Sequence, residues 1–272
     1  MKKILLFALF LFSCTLVNAQ DKYDLKKDIP YYADSISQKD AYIKSVCTLD
    51  VYYPKNKKNF ATVVWFHSGG LTMGEKEIPK ELVEKGFAVV GVGYRLSPKA
   101  KAPAYIEDAA ASVAWVFKHI AEFGGSPDKI ILSGHSAGGY LGLMITLDKD
   151  YLQKYNIDAD KIAGIISFSG QAITHFTIKK ERGMSITQPL IDEYAPLYYV
   201  RKTPTSIVLI TGDAEKELLG RYEENAYLYR MLKISKQADV KLFKLDGFNH
   251  ASMISPAFFL LLNEVSSITN LR

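Results

Sequence analysis

Ile130-Ile131-Leu132-Ser133-Gly134-His135-Ser136-Ala137-Gly138-Gly139-Tyr140-Leu141 reads as a buried strand, a tight turn and the opening of a helix. Apolar residues lead in, glycines stand two positions to either side of a serine, and residues 140–147 continue at helical spacing. Chance alone supplies a Gly-x-Ser-x-Gly match in about one chain in ten of this length. Its setting between strand and helix adds weight. A serine on such a turn takes a strained backbone conformation, and its neighbours must lack side chains for strand and helix to approach. The helix that follows directs its amides and dipole at negative charge forming beside Ser136.

Outward from this unit, short β-rich runs alternate with helical segments. The expected strands cover 48–53, 61–66, 87–93, 129–133, 162–167, 206–211 and 240–245, and the expected helices 78–85, 106–123, 140–147, 221–234 and 256–271. That alternation predicts a mostly parallel sheet with helices on both faces, a doubly wound α/β domain over residues 20–272. No internal repeat or Pro/Ser-rich linker divides it. The connection between about 171 and 205 exceeds the usual loop length several-fold and is expected to form a small cap over the strand ends.

Upstream, His67-Ser68-Gly69-Gly70 follows the strand at 61–66 directly. Bare glycines leave backbone amides free to face a substrate. In this topology the loop lies beside the serine turn, so Gly69 and Gly70 become oxyanion candidates together with the amide of Ala137.

The two glycine motifs resemble the oxyanion loop and nucleophile turn of the bacterial esterase/lipase branch of the α/β hydrolases. Tyr94-Arg95-Leu96-Ser97-Pro98, then Pro103, Asp108 and Trp115, is similar to a stretch of hormone-sensitive-lipase-like and feruloyl/acetyl-xylan-type esterases. The likeness runs over roughly residues 45–270. Ser68 departs from it, standing where the family usually has the first of three glycines. Within the stretch, Arg95 and Asp108 read as a structural ion pair.

The resemblance implies an α/β-hydrolase fold with a triad in the chain order nucleophile, acid, histidine. Only His175 and His250 follow Ser136, and His175 falls in the long insertion. His250, in Gly247-Phe248-Asn249-His250 between the last strand and last helix, is therefore the expected base. The family's acid usually lies three residues after the glycine that ends the preceding strand. Counting from Gly212 selects Glu215, with Asp213 as the alternate.

The expected chemistry is hydrolysis of short-chain acyl or aromatic esters, including carbohydrate-linked ones, through an acyl-enzyme on Ser136, without metal or cofactor. Two rivals stand beside it. One is a serine peptidase on the same scaffold, and the other a non-catalytic binding protein, since a fold does not by itself establish chemistry.

Lys2 and Lys3 precede an uncharged apolar run and then Val17-Asn18-Ala19, the pattern of a signal peptide over residues 1–19 with export to the periplasm or beyond. The alternative is lipoprotein processing at Cys14. The run falls short of the roughly 20 residues of a membrane span. Loss of the two lysines would lower the net charge from +5 to +3, too weak a balance to imply nucleic-acid binding. After processing at Ala19 only Cys47 remains, which excludes an internal disulfide.

Overall fold

The computed structural model describes residues 22–270. The expected signal segment, with Cys14 and Ala19, lies outside them. Eight strands form one sheet in the order β1-β2-β4-β3-β5-β6-β7-β8. They are β1 (Tyr23–Pro30), β2 (Thr48–Pro54), β3 (Phe60–Phe66), β4 (Ala88–Val92), β5 (Gly125–His135), β6 (Gly164–Phe168), β7 (Ser206–Thr211) and β8 (Val240–Lys244). β2 is antiparallel to β1 and to β4, and every later pairing is parallel.

The helices are α1 (Asp34–Ser37), α2 (Ala41–Val46), α3 (Ala104–His119), α4 (Ala137–Leu147), α5 (Asp150–Gln153), α6 (Phe176–Glu181), α7 (Arg221–Ile234) and α8 (Ile254–Asn270). Successive strand residues face opposite sides of the sheet, so the core has two halves. Val64, Phe66, Leu132 and Leu209 pack with α3, α4 and α7 on one face. Val63, Trp65, Ile131 and Ile210 pack with α8 on the other. The Trp65 ring meets Phe168 edge-on at 5.7 Å and Phe258 of α8 at 5.2 Å. Helices thus cover both faces, as the alternation of runs predicts.

Two local expectations fail. The segment at 78–85 is not a helix but a single 3-10 turn, Lys80–Leu82, entered by Pro79 and closed by Glu84 at φ 58°. Its one fully buried apolar side chain, Leu82, cannot hold a longer helix on the sheet. In the other direction, β1 lies in a charged stretch that carries no strand pattern. It is an edge strand, bound on one side only. Outward lysines suit such an edge because they discourage pairing with other chains, and Lys76 ties it down through Asp28 and Asp50.

Arg95 and Asp108 do form a structural pair. The fully buried Asp108 carboxylate accepts Arg95 Nε at 2.8 Å, Arg95 Nη2 at 2.7 Å, the Arg95 amide at 2.9 Å and the Tyr32 hydroxyl at 2.7 Å. This fixes the chain after β4 to α3. Asp108→Ala strands the guanidinium and should lower unfolding free energy by about 3–5 kcal/mol in urea titrations. A change within about 0.5 kcal/mol, typical of surface positions, would contradict that role.

Candidate active site

Ser136 sits between β5 and α4 with φ 55° and ψ −111°, a conformation that side-chain-bearing residues avoid. Its neighbours explain how the turn is held. A Cβ at Gly138 would stand 2.0 Å from the Phe66 carbonyl oxygen, and one at Gly134 2.5 Å from the same atom. Helix α4 begins at Ala137 and is buried throughout, so its amino-terminal end points at Ser136 from inside the protein. The Ser136 amide donates to the Phe168 carbonyl at the end of β6, at 2.8 Å.

The loop after β3 runs directly from Phe66 past this turn. Gly69 and Gly70 have φ 110° and 62°, and among the described residues the amides of Gly69, Gly70 and Ala137 donate to no protein acceptor. The loop is held from the other side, because Gly69 O accepts the Thr72 and Met73 amides and Gly70 O accepts the Thr177 hydroxyl. The carbonyls are thereby engaged while the amides stay available.

His250 lies on the loop between β8 and α8. Its Nδ1 is 2.8 Å from Glu217 Oε2. Neither Glu215 nor Asp213 occupies that place. Residues 213–217 form a helical turn, with the Lys216 and Glu217 amides donating to Asp213 O at 3.0 and 2.9 Å. At about 100° per residue, positions 213 and 217 face the same side and 215 the opposite one. Glu215 is accordingly exposed. The Asp213 carboxylate instead accepts the Gly247 amide at 2.7 Å and the Glu215 amide at 3.0 Å, clamping the loop that carries His250. The carboxylate that meets His250 is therefore Glu217, and not the expected Glu215 or its alternate Asp213. The i, i+4 relation of two carboxylates after Gly212 was the available signal.

Glu217 has a side chain with no solvent exposure. Burial pushes its carboxyl upward, but hydrogen bonds from His250, the Gly212 amide and Ser169 outweigh that and hold it at about 2. It is thus an anion at neutral pH. A carboxylate at that distance accepts a proton carried on His250 Nδ1, which leaves Nε2 as the ring nitrogen not engaged by Glu217. His175, the other candidate histidine, is buried under the insertion, where its Nδ1 accepts the Thr177 amide at 3.2 Å at the start of α6. Burial, with Arg221 and Lys179 nearby, keeps it neutral. Burial also pushes the Cys47 thiol up to about 12, which removes it as a nucleophile.

The sequence profile of the BD-FAE family matches residues 49–229. The chain belongs to the BD-FAE family. It is 38% identical over 90 residues to Lipase 2 of Moraxella sp., covering 31% of this chain and 21% of that protein. It is 37% identical over 108 residues to carboxylesterase NlhH of Mycobacterium tuberculosis, covering 37% and 34%. The chain thus spans less than two thirds of these curated relatives. Among solved structures, a truncated carbohydrate esterase from gut microbiota superposes with TM-score 0.73 at 17% identity, over 93% of this chain and 99% of that one. A butyrate-bound esterase from Thermogutta terrifontis gives 0.69 at 17% identity, over 91% and 95%. These neighbours share the α/β-hydrolase fold.

The BD-FAE chain's insertion does form a cap. It contains helix α6 and a 3-10 turn at Pro196–Tyr199; Thr174 and Arg182, flanking α6, both donate to Asp192 at 2.6 Å, and the Tyr140 hydroxyl of α4 ties the cap down by donating to Tyr194 O at 2.8 Å. Phe176 of α6 lies against Gly70. Between cap and α7 runs an apolar groove of about 530 Å³ whose walls include Phe176, Ile186, Ile191, Leu218 and Leu219.

His135, inside the serine motif, donates from Nε2 to the His250 carbonyl at 2.9 Å, while its buried Nδ1 has no partner. Burial, and then the neighbouring His250, depresses its protonation to about 3, and burial depresses His67 to about 4. Both start from 6.5 in the unfolded chain, so below that pH the unfolded state takes up protons that the folded state refuses. Stability should be full above pH 6.5 and fall progressively as pH drops toward 4 and then 3. Urea midpoints at steps from pH 7.5 to 4 check this, and His135→Gln should flatten the slope. A midpoint independent of pH over that range would contradict it.

Proposed function

We propose that the chain is a serine carboxylesterase in which Ser136 attacks an ester carbonyl, His250 is the general base and Glu217 orients and charge-compensates the imidazole. The observation that carries this reading is the convergence of a strained Ser136 with a His250–Glu217 pair at the same end of one sheet. Nε2 of His250 takes the hydroxyl proton as the tetrahedral intermediate forms and returns it to the leaving alcohol. Water then repeats the sequence on the acyl-enzyme. The amides of Gly69, Gly70 and Ala137 are the donors available to the oxyanion, and because their carbonyls and helix are fixed beforehand, little reorganisation accompanies the charge.

The substrate reading is an ester with a short acyl or aromatic group, including esters on carbohydrates. The apolar groove between cap and α7, walled in part by Leu218 and Leu219 directly after Glu217, supports the first part, and the carbohydrate esterase among the structural neighbours supports the second. The lysine-led apolar run at residues 2–12 supports export to the periplasm or medium. A peptidase would prefer aminoacyl anilides over acetylated xylan or feruloyl esters. A binding protein would leave Ser136 unlabelled by a fluorophosphonate.

Ser136→Ala should lower turnover by about 10⁶-fold and Glu217→Ala by about 10⁴-fold with the fold intact. Glu215→Gln should leave turnover within about twofold of the parent, because an exposed side chain away from the imidazole contributes nothing to the step. Steady-state hydrolysis of a p-nitrophenyl ester reads all three. Near-parental activity in Ser136→Ala, or a Glu215→Gln loss matching that of Glu217→Ala, would sink the assignment.

A further inference from the structure

We propose that Ser169 is a fourth, positioning member of the catalytic group, holding the Glu217–His250 pair in register with Ser136; this rests on the triad reading above. Ser169 is fully buried at the end of β6. Its hydroxyl donates to Glu217 Oε1 at 2.7 Å, and its oxygen stands 3.1 Å from His250 Nδ1.

The proton count fixes the direction of each bond. Glu217 Oε1 receives the Ser169 hydroxyl and the Gly212 amide at 2.8 Å. Glu217 Oε2 receives His250 Nδ1–H at 2.8 Å and, more weakly, the Leu218 amide at 3.2 Å. With its one proton committed to Glu217, the Ser169 oxygen presents a lone pair to Nδ1–H. The imidazole proton is therefore shared between a carboxylate and a hydroxyl, and the carboxylate is pinned on both oxygens. When His250 becomes cationic during the reaction, both acceptors already face the proton.

The backbone at Ser169 is built for this placement. Its φ is 49°, a left-handed conformation that non-glycine residues seldom take. The amide holds it by donating to Ile210 O of β7 at 2.7 Å, and the carbonyl by accepting the guanidinium of Arg221, which is itself buried. The preceding residue, Phe168, receives the Ser136 amide. Two consecutive residues of β6 and its end thus touch all three members of the triad. The Ser169 hydroxyl bonds the carboxylate oxygen that His250 does not engage.

The test compares Ser169→Ala with Ser169→Gly. Both remove the hydroxyl, but glycine also relaxes the left-handed backbone while alanine keeps it strained. Each should lower kcat by about 10- to 100-fold, the worth of a hydrogen bond to a charged group, with KM unchanged and the two variants alike. In a Glu217→Gln background the Ser169→Ala change should cost less than about twofold, because coupled residues are not additive. Full kcat in both variants, equal losses in both backgrounds, or a loss that tracks only the fraction of folded protein would overturn the proposal. The low-field proton resonance of His250 Nδ1–H reads the contact without turnover and should be displaced in Ser169→Ala. If the parent chain hydrolyses no ester yet the resonance moves, the esterase reading fails and the placement of Ser169 stands. An unmoved resonance overturns the placement.

Discussion

The carbonyl oxygen of Phe66 and the bare backbones of Gly134 and Gly138 are in contact, and that contact sets the geometry of this end of the sheet. β3 and β5 are neighbours in parallel register, with Phe66 opposite Gly134. Helix α4 must start at once and cross back over β3 to bury its apolar surface. It can do so only where no Cβ intervenes, and the chain therefore folds sharply enough to drive Ser136 into its strained conformation. Because β3 ends at the same carbonyl, its outgoing loop has nowhere to run but past the serine. The nucleophile and the candidate oxyanion donors share one origin, a packing requirement between a strand and a helix.

A second constraint is electrostatic. The carboxylate of Glu217 is enclosed, and an enclosed charge is tolerable only when its lone pairs are filled. The Gly212 and Leu218 amides, Ser169 and His250 fill them. The buried guanidinium of Arg221 adds a compensating charge nearby, and burial in turn pulls its own proton affinity down. The neighbouring histidines His67, His135 and His175 stay neutral through burial. Beside the enclosed Glu217 carboxylate, His250 keeps 16% of its side chain exposed while these three histidines are held neutral.

The mostly parallel sheet with helices on both faces and the serine turn were legible in the sequence because each depends on local pattern, apolar runs alternating with helical segments in one case and paired glycines in the other, whereas His250 was reached through the chain order that the family resemblance implies. The acid was not legible, because its identity depends on how residues 213–217 coil. An offset counted from Gly212 assumes an extended chain, whereas one turn of helix carries residue 215 to the far side and brings residue 217 inward. Ser169 was equally hidden. Nothing in Phe168-Ser169-Gly170 marks a functional serine, since its role arises from β6 lying between the strands that bear the nucleophile and the acid. The edge strand β1 escaped for a different reason: its charges protect an unpaired edge, so they look like a solvated tail.

The cap gives the arrangement its remaining coupling. Thr177 bonds Gly70 O and the Phe176 ring lies on the same glycine, so α6 braces the oxyanion loop from outside. Lys179, on the same helix, is buried and donates to the carbonyls of Ile186 and Gln188 at 2.7 and 2.9 Å, which holds the outer segment of the cap beside the groove. The Glu224 carboxylate of α7 accepts the Ala172 amide at 3.1 Å where the cap leaves the sheet. The groove is thereby walled by the segment that positions the oxyanion donors on one side and by the segment that follows Glu217 on the other. Because α6 meets Gly70, a change in cap packing should be felt in the alignment of the Gly69–Gly70 amides before it is felt in the histidine–carboxylate pair, which hangs from the loops after β7 and β8 instead.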